Sequence, residues 1–235
     1  MPLPRNDPRQ YEDLAGEWWR PGGGFELLHW LAAARGALVP PATRPGAVLL
    51  DAGCGGGLLA PHVAHLGYRH IGVDLGRPGL AESARRGVTA VNGDVTALPF
   101  ADGSADVVAA GEILEHVRDL PGTVAELCRV LRPGGLLVLD TINATWLGRF
   151  VSITVGERFA AAPVGIHDPA LFVDPGDLTT CCSAHGVRLK VRGVRPSVPG
   201  LVRWLFLRVP AHGRMIPTRS TQVLYQGIGR KEGTQ

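Results

Sequence analysis

Two glutamates and a histidine follow an apolar stretch near the middle of the chain. The segment AGEILEHV, residues 110–117, ends the apolar run ADVVAAG and contains Glu112, Glu115 and His116. If the chain turns helical at Glu112, spacings of three and four residues place these side chains on one helix face. Such a face can hold a divalent cation, move a proton, or form a solvated helix end. The residue types alone leave these alternatives open.

A second group with chemical potential is a glycine-rich turn flanked by acids. The first predicted strand runs into LLDAGCGGGLL, residues 49–59, where glycines permit a tight turn and close approach of a ligand to the backbone. Asp74 ends the second predicted strand, about 20 residues further on, where a carboxylate can accept both hydroxyls of a ribose. Asp51 would repel a pyrophosphate, which disfavours NAD and favours a cationic cofactor.

The elements that position these residues follow an alternating pattern. The apolar runs AVLLDAG, HIGVDL, VTAVNGD, ADVVAAG and LLVLDTIN alternate with helical stretches. This pattern predicts an α/β fold with a Rossmann-like, doubly wound sheet. The run TQVLYQGIGRK is predicted to be the last strand, antiparallel and at or near the edge. The predicted single domain divides into an N-terminal helical cap (1–46), a cofactor-binding core (47–143), a lid or substrate insertion after strand five (144–176) and a C-terminal part of the sheet (177–235).

Composition excludes several classes of protein. The 235 residues are 45% hydrophobic and 19% charged, which is enough apolar material for a large core. The net charge of +3 comes without a dense basic block, so nucleic acid is not an expected partner. No signal peptide or bilayer-spanning run is visible, and the cysteines lack C-x-x-C spacing. We therefore expect a cytoplasmic protein with buried thiols at Cys54, Cys128, Cys181 and Cys182.

Four motifs in order resemble the class I S-adenosylmethionine-dependent methyltransferases over residues 47–143. They are the glycine turn, Asp74, NGDVTALPF with Asp94, and LCRVLRPGGLLVLDT. The resemblance implies a seven-stranded sheet whose last strand is antiparallel. It also implies that the glycine turn passes under the amino-acid part of the cofactor, that Asp74 holds the ribose, and that Asp94 and Val95 flank the adenine. The cofactor residues so predicted are Arg35, Asp51, Gly53, Cys54, Gly55, Asp74, Leu75, Asp94, Val95 and Gly111.

A closer resemblance extends to the 3-O-methyltransferases of ubiquinone biosynthesis, which methylate polyprenyl catechols. WWRPGGGFELLHWLAAAR, GEILEHV and the segment after strand five are similar to that family, whereas residues 195–220 depart from it. The resemblance implies that Arg35 contributes to the cofactor carboxylate and that Mg²⁺ or a similar ion binds Glu112, Glu115 and His116. His167, in GIHDP, is a further candidate for the catalytic pocket because the insertion should fold over it.

The sequence therefore predicts methyl transfer to a phenolic, catechol-like or quinol hydroxyl of a small or lipidic acceptor. A phenol has a pKa of about 10, so a metal or His116 as general base would have to promote its ionisation. The insertion mixes apolar and basic residues, which fits either peripheral membrane contact or a lid packed on its own core. An alternative with the same cofactor is a C- or N-methyltransferase of a secondary-metabolite pathway, and a natural-product catechol competes with a respiratory quinone.

Two alternatives from other classes are disfavoured. A nicotinamide-dependent oxidoreductase does not fit Asp51, the G-C-G-G-G run or the lack of a Tyr-x-x-x-Lys pair. A non-catalytic cofactor-binding regulator would not need the intact set of Glu112, Glu115 and His116. The oligomeric state and the identity of the acceptor stay open.

Overall fold

The computed structural model describes residues 3–11, 14–159, 164–207 and 213–233. Within them, eight strands form one sheet in the order β3-β2-β1-β4-β5-β8-β6-β7. The strands are β1 (Val48–Ala52), β2 (Arg69–Asp74), β3 (Thr89–Asn92), β4 (Ala105–Gly111), β5 (Leu131–Ile142), β6 (Val187–Pro196), β7 (Met215–Thr218) and β8 (Leu224–Lys231). The α-helices are α1 (Glu26–Gly36), α2 (Ala60–Val63), α3 (Arg77–Arg85), α4 (Leu120–Val130), α5 (Trp146–Arg149), α6 (Glu157–Phe159), α7 (Pro175–Ala184) and α8 (Val198–Val202).

The sheet differs from the prediction in two respects. Strands β1 to β5 are parallel and β8 is antiparallel, as predicted, but there are eight strands among the described residues rather than seven. The extra strand, β7, pairs antiparallel with β6 at the edge. The last strand, β8, lies between β5 and β6 instead of near the edge. The alternation of polar and apolar residues in this strand suggested that one face is exposed to solvent. The polar residue Gln226 is nevertheless only 1% exposed.

Apolar residues cover both faces of the sheet. The neighbouring residues Leu49 and Leu50 of β1 point to opposite faces, as successive strand residues must. Leu50 packs with Leu127 of α4 and Leu178 of α7, whereas Leu49 packs with Val63 of α2. Both faces of the parallel strands are therefore buried, which explains why these strands are apolar almost throughout. No helix among the described residues is long and apolar enough to span a bilayer.

A buried ion pair joins the N-terminal helix to the carboxyl ends of the central strands. Nη1 of Arg35, in the last turn of α1, donates to Oδ1 of Asp140 in β5 at 2.5 Å. Gly111 of β4 pairs in register with Asp140. A Cβ atom at Gly111 would overlap the Arg35 guanidinium. The absence of a side chain at Gly111 thus allows α1 to dock on this edge of the sheet.

Replacing Gly111 with alanine tests this docking. We expect Gly111→Ala to push the Arg35 guanidinium away from Asp140 and to lower the free energy of unfolding by about 2 kcal/mol or more, because overpacking adds to the separation of a buried ion pair. Urea unfolding followed by circular dichroism measures the change. Gly16→Ala is the control, because its Cβ would meet nothing within 4 Å. Equal stability of the two variants would show that the docking does not depend on Gly111.

Candidate active site

One cavity of 930 Å³ opens at the carboxyl ends of β1, β2 and β4. This is the edge where parallel α/β sheets bind their ligands. The structure brings all but one of the predicted site residues to its wall, and the exception, Glu115, lies fully buried behind it. The predicted residues on the wall are Arg35, Asp51, Gly53, Cys54, Gly55, Asp74, Leu75, Asp94, Val95, Gly111, Glu112, His116 and His167.

The glycine turn and Asp74 are locked together by backbone hydrogen bonds. Gly53 has φ of 73°, in the left-handed region, and a Cβ there would lie 2.6 Å from the side chain of Ile113. The two oxygens of Asp74 accept from the amides of Gly55 at 2.9 Å and Gly76 at 2.8 Å. Burial raises the pKa of Asp74, and these amides oppose that shift. Each carboxylate oxygen keeps further acceptor capacity towards the cavity, which suits a vicinal diol.

The remaining predicted cofactor residues contribute differently. Leu75 is 51% exposed and Val95 is buried, so together they offer an apolar surface next to Asp74. Asp94 is exposed, and its Oδ1 accepts from the amide of Thr96 at 2.8 Å. The thiol of Cys54 is buried, and burial raises its pKa well above the usual value. Cys54 is thus a packing residue of the wall rather than a reactive thiol.

Arg35 is surrounded by carboxyl groups. Besides its ion pair with Asp140, it interacts electrostatically with Asp51 and Glu112. Burial alone would lower the pKa of Arg35, but these acids raise it, so the guanidinium stays charged. The imidazole Nε2 of His70 lies 3.4 Å from Oδ2 of Asp51. Because acids outnumber the guanidinium on this wall, the cavity favours a cationic ligand.

The predicted helix does not begin at Glu112. Glu112 instead has φ of 51°, a left-handed conformation that is uncommon for a residue other than glycine. Its amide donates to the carbonyl of Asp140 at 3.0 Å. Leu114–His116 forms a single 3₁₀ turn and α4 starts only at Leu120. The prediction that Glu112, Glu115 and His116 share one α-helix face is therefore wrong.

Glu112 and Glu115 form a buried carboxyl pair. Oε2 of Glu115 accepts from Oγ1 of Thr141 at 2.6 Å. Burial raises the pKa of Glu115 to about 7, although the hydrogen bond from Thr141 acts to lower it. Burial raises the pKa of Glu112 well above its usual value, and the negative charge of Glu115 adds to this shift. Glu112 therefore keeps its proton to a higher pH than an ordinary glutamate does.

His116 is held by residues from the N-terminal segment. Its Nδ1 lies 2.5 Å from Oδ1 of Asn6, and its Nε2 lies 3.2 Å from the hydroxyl of Tyr11. The His167 ring stacks on it, with 5.3 Å between centroids. Burial lowers the pKa of His116 to about 3 and that of His167 to about 4. Both imidazoles are therefore neutral at neutral pH.

The predicted metal ligands do not fit a divalent ion in this arrangement. In the ranges that the structure describes, no group of at least three His, Cys, Asp or Glu side chains is placed to hold a metal. Nδ1 of His116 is bonded to Asn6, and Glu115 is bonded to Thr141 behind the cavity wall. Burial also favours the neutral form of Glu112, which is a poorer ligand for a cation than a carboxylate.

Several residues of the site were not found from the sequence. Asp140 and Thr141 end β5, so the strand-end argument that found Asp74 applies to them as well. Asn6 and Tyr11 carry no comparable signal, because more than 100 positions separate them from His116. The four cysteines are free, as predicted, but only Cys54, Cys128 and Cys182 are buried, whereas Cys181 is half-buried.

Comparisons with known proteins agree with this geometry. Residues 50–139 match the family model described as a methyltransferase domain. A ubiquinone biosynthesis O-methyltransferase of Paraburkholderia xenovorans is 34% identical over 191 residues, covering 77% of this chain and 82% of that protein.

Solved structures show the same fold. A possible histamine N-methyltransferase of Thermotoga maritima, described as S-adenosylmethionine-dependent, superposes with a TM-score of 0.67 at 18% identity, covering 95% of this chain and 99% of that one. The magnesium protoporphyrin IX methyltransferase of Synechocystis, with bound S-adenosylhomocysteine, superposes with a TM-score of 0.58 at 17% identity, covering 89% and 84%.

The raised pKa of Glu115 has a measurable consequence for stability. A carboxyl whose folded pKa is about 7, against an ordinary value of 4.5, stabilises the fold at low pH and loses that contribution as pH rises through this window. Glu115→Gln does not titrate there. We therefore expect the melting temperature of the wild type, relative to Glu115→Gln, to fall steadily between pH 4.5 and pH 7.

Scanning calorimetry across this pH range measures the difference. Glu232→Gln, which changes a surface carboxylate with a 61% exposed side chain, should give a difference that does not depend on pH. A constant difference between the wild type and Glu115→Gln would mean that burial does not shift the pKa of Glu115.

Proposed function

The chain belongs to the S-adenosylmethionine-dependent methyltransferases, and we propose that it transfers a methyl group to a phenolic oxygen of a catechol-like or quinol acceptor. The observation that carries the proposal is the contact between Nε2 of a neutral His116 and the phenolic hydroxyl of Tyr11 in the cavity. This contact supports a phenol in that position, with its proton directed to the imidazole. The name of the similar ubiquinone biosynthesis enzyme supports oxygen as the methylated atom.

The residues at the strand ends fit the cofactor. Asp74 would hold the ribose hydroxyls, Asp94 and Val95 would flank the adenine, and the glycine turn would support the amino-acid part. The acids around Arg35 suit the positive charges of the cofactor, and Arg35 would meet its carboxylate. When bound, S-adenosylmethionine supplies an electrophilic methyl group on a sulfonium.

The acceptor hydroxyl must lose its proton as its oxygen takes the methyl group. With a pKa of about 10, only about a thousandth of a phenol is ionised at neutral pH. His116 is neutral in this range, so its Nε2 is available as a proton acceptor. His167 would pack on the acceptor side of His116.

Methyl transfer from labelled S-adenosylmethionine to a panel of catechols, quinols and amines tests the proposal. We expect product with catechols or quinols, with the methyl group on oxygen, as shown by mass spectrometry and NMR. Methylation of carbon or nitrogen would instead support the secondary-metabolite alternative. Thermal stabilisation by S-adenosylhomocysteine but not by NAD is the binding control.

The same assay in EDTA tests the role of a metal. Because burial favours the neutral form of Glu112 and Thr141 is bonded to Glu115, we expect activity without an added divalent ion. Loss of activity in EDTA that Mg²⁺ restores would instead support Glu112, Glu115 and His116 as its ligands.

We also propose that the mouth of the cavity contacts an anionic membrane surface, from which a lipidic acceptor would enter. Residues of two helical segments, 146–156 and 198–207, line the cavity on one side. Their outer sides expose large apolar groups, with exposures of 76% for Trp146 and 77% for Phe206. The exposed Arg149 and Arg203 lie in the same segments. Apolar and basic groups together suit anionic lipid.

The insertion would then act as both lid and membrane contact. Its residues 160–163 lie outside the described structure, as do residues 208–212 of the C-terminal region that differs from the similar family. We expect replacing Trp146 and Phe206 with serine to weaken binding to phosphatidylglycerol vesicles about tenfold, because less apolar surface is buried. Co-sedimentation measures the bound fraction, and phosphatidylcholine vesicles are the control for charge. Unchanged binding would rule out this surface.

A further inference from the structure

Asn6 holds His116 through both its ring and its backbone. The amide nitrogen Nδ2 of Asn6 donates to the carbonyl of His116 at 2.9 Å. At its other end, Oδ1 lies 2.5 Å from Nδ1 of the same imidazole. The backbone amide of Asn6 donates to the carbonyl of Gly165 at 2.8 Å, which ties the N-terminal segment to the segment that carries His167.

This pair of contacts determines which nitrogen of His116 carries the proton. Because Nδ2 of Asn6 faces a carbonyl and must donate, the atom facing the ring is Oδ1, which can only accept. Nδ1 therefore carries the hydrogen. A neutral imidazole has a single N–H, so Nε2 is the bare nitrogen, and the hydroxyl of Tyr11 donates to it.

The backbone of Asn6 is shaped for this contact. Its φ of 60° lies in the left-handed region, which asparagine tolerates better than most residues. The contacts to His116 and Gly165 are made from this conformation. An uncommon backbone conformation that is fixed on both sides at a cavity wall is a pattern found at functional sites.

We infer that Asn6 is a positioning residue for methyl transfer, which keeps His116 in the Nδ1–H tautomer so that Nε2 faces the acceptor hydroxyl. This inference rests on the proposed function. In this proposal the acceptor hydroxyl displaces the hydroxyl of Tyr11 and binds Nε2 of His116 in its place. Asn6 does not touch the acceptor and acts through the imidazole.

The proton and charge balance of the step gives Asn6 a second role. As the acceptor oxygen forms its bond to the methyl carbon, the carbon–sulfur bond breaks and the sulfonium becomes a neutral thioether. The acceptor proton passes to Nε2, and His116 becomes an imidazolium with an N–H at both nitrogens. Oδ1 of Asn6 then accepts from a charged donor, and such hydrogen bonds are about twice as strong as neutral ones.

The tautomer can be measured without any turnover. In ¹⁵N-histidine-labelled protein, with the His116 signals assigned by their loss in His116→Gln, we expect the Nδ1–H form in the wild type. Asn6→Gly removes the side chain in a residue that adopts φ of 60° readily, and it should populate the Nε2–H form. Persistence of the Nδ1–H form in Asn6→Gly would overturn the inference.

Kinetics test the consequence for methyl transfer. We expect Asn6→Gly to lower kcat roughly ten- to a hundredfold with little change in KM for S-adenosylmethionine, because the general base is misoriented. Asn6→Asp keeps an oxygen at Nδ1 and should restore kcat to within about threefold of the wild type. Its carboxylate raises the pKa of His116, so the acid limb of the pH profile should move to higher pH.

Arg5→Gln separates this role from docking of the N-terminal segment. Arg5 pairs with Glu157 and donates to the carbonyl of His167, but it has no contact with the His116 ring. Near-wild-type kcat in Arg5→Gln is expected, and a loss equal to that of Asn6→Gly would overturn the inference. A wild type that shows the Nδ1–H tautomer but methylates no phenol would contradict the proposed function, not the contact between Asn6 and His116.

Discussion

The buried ion pair between Arg35 and Asp140 is the interaction on which the rest of the site depends. It joins the last turn of α1 to β5 and is possible only because Gly111 between them has no side chain. Both charges lose their hydration on burial, a cost that close pairing offsets. The position of α1 in turn fixes one wall of the cavity, because Leu27 and Leu28 of this helix line it. Docking of α1 on the sheet thus completes this wall of the cavity.

Burial shifts the pKa values of the acids and of the imidazoles in this site in opposite directions. It disfavours charge, so it raises the pKa of Glu112 and Glu115 and lowers that of His116 and His167. The result is a neutral imidazole beside a carboxyl pair that keeps a proton. A cavity of this kind offers a proton acceptor to a neutral hydroxyl. The acids near Arg35, Asp51 and Asp140, still make the cavity more favourable for a cationic ligand.

The sequence predicted the parts of the site that follow from strand geometry. Carboxyl ends of parallel strands meet at one edge, so the strand pattern is enough to place Asp51 and Asp74 together. The conformation of Glu112 could not be predicted, because its left-handed backbone is imposed by the neighbouring β5 rather than by its own sequence. Asn6 and Tyr11 reach His116 only through tertiary folding. Strand β7 was missed because it is only four residues long, too short to show a clear strand pattern.

In the proposed function, this cavity holds a cationic nucleoside cofactor through Asp74. Isothermal titration calorimetry of S-adenosylmethionine with the wild type and with Asp74→Asn tests it most directly. We expect one site per chain in the wild type and affinity at least about tenfold weaker in Asp74→Asn, because charged hydrogen bonds to the ribose are lost. Asp102→Asn, which changes an exposed acid outside the cavity wall, should bind like the wild type. Equal affinity of Asp74→Asn and the wild type would show that Asp74 does not hold the cofactor.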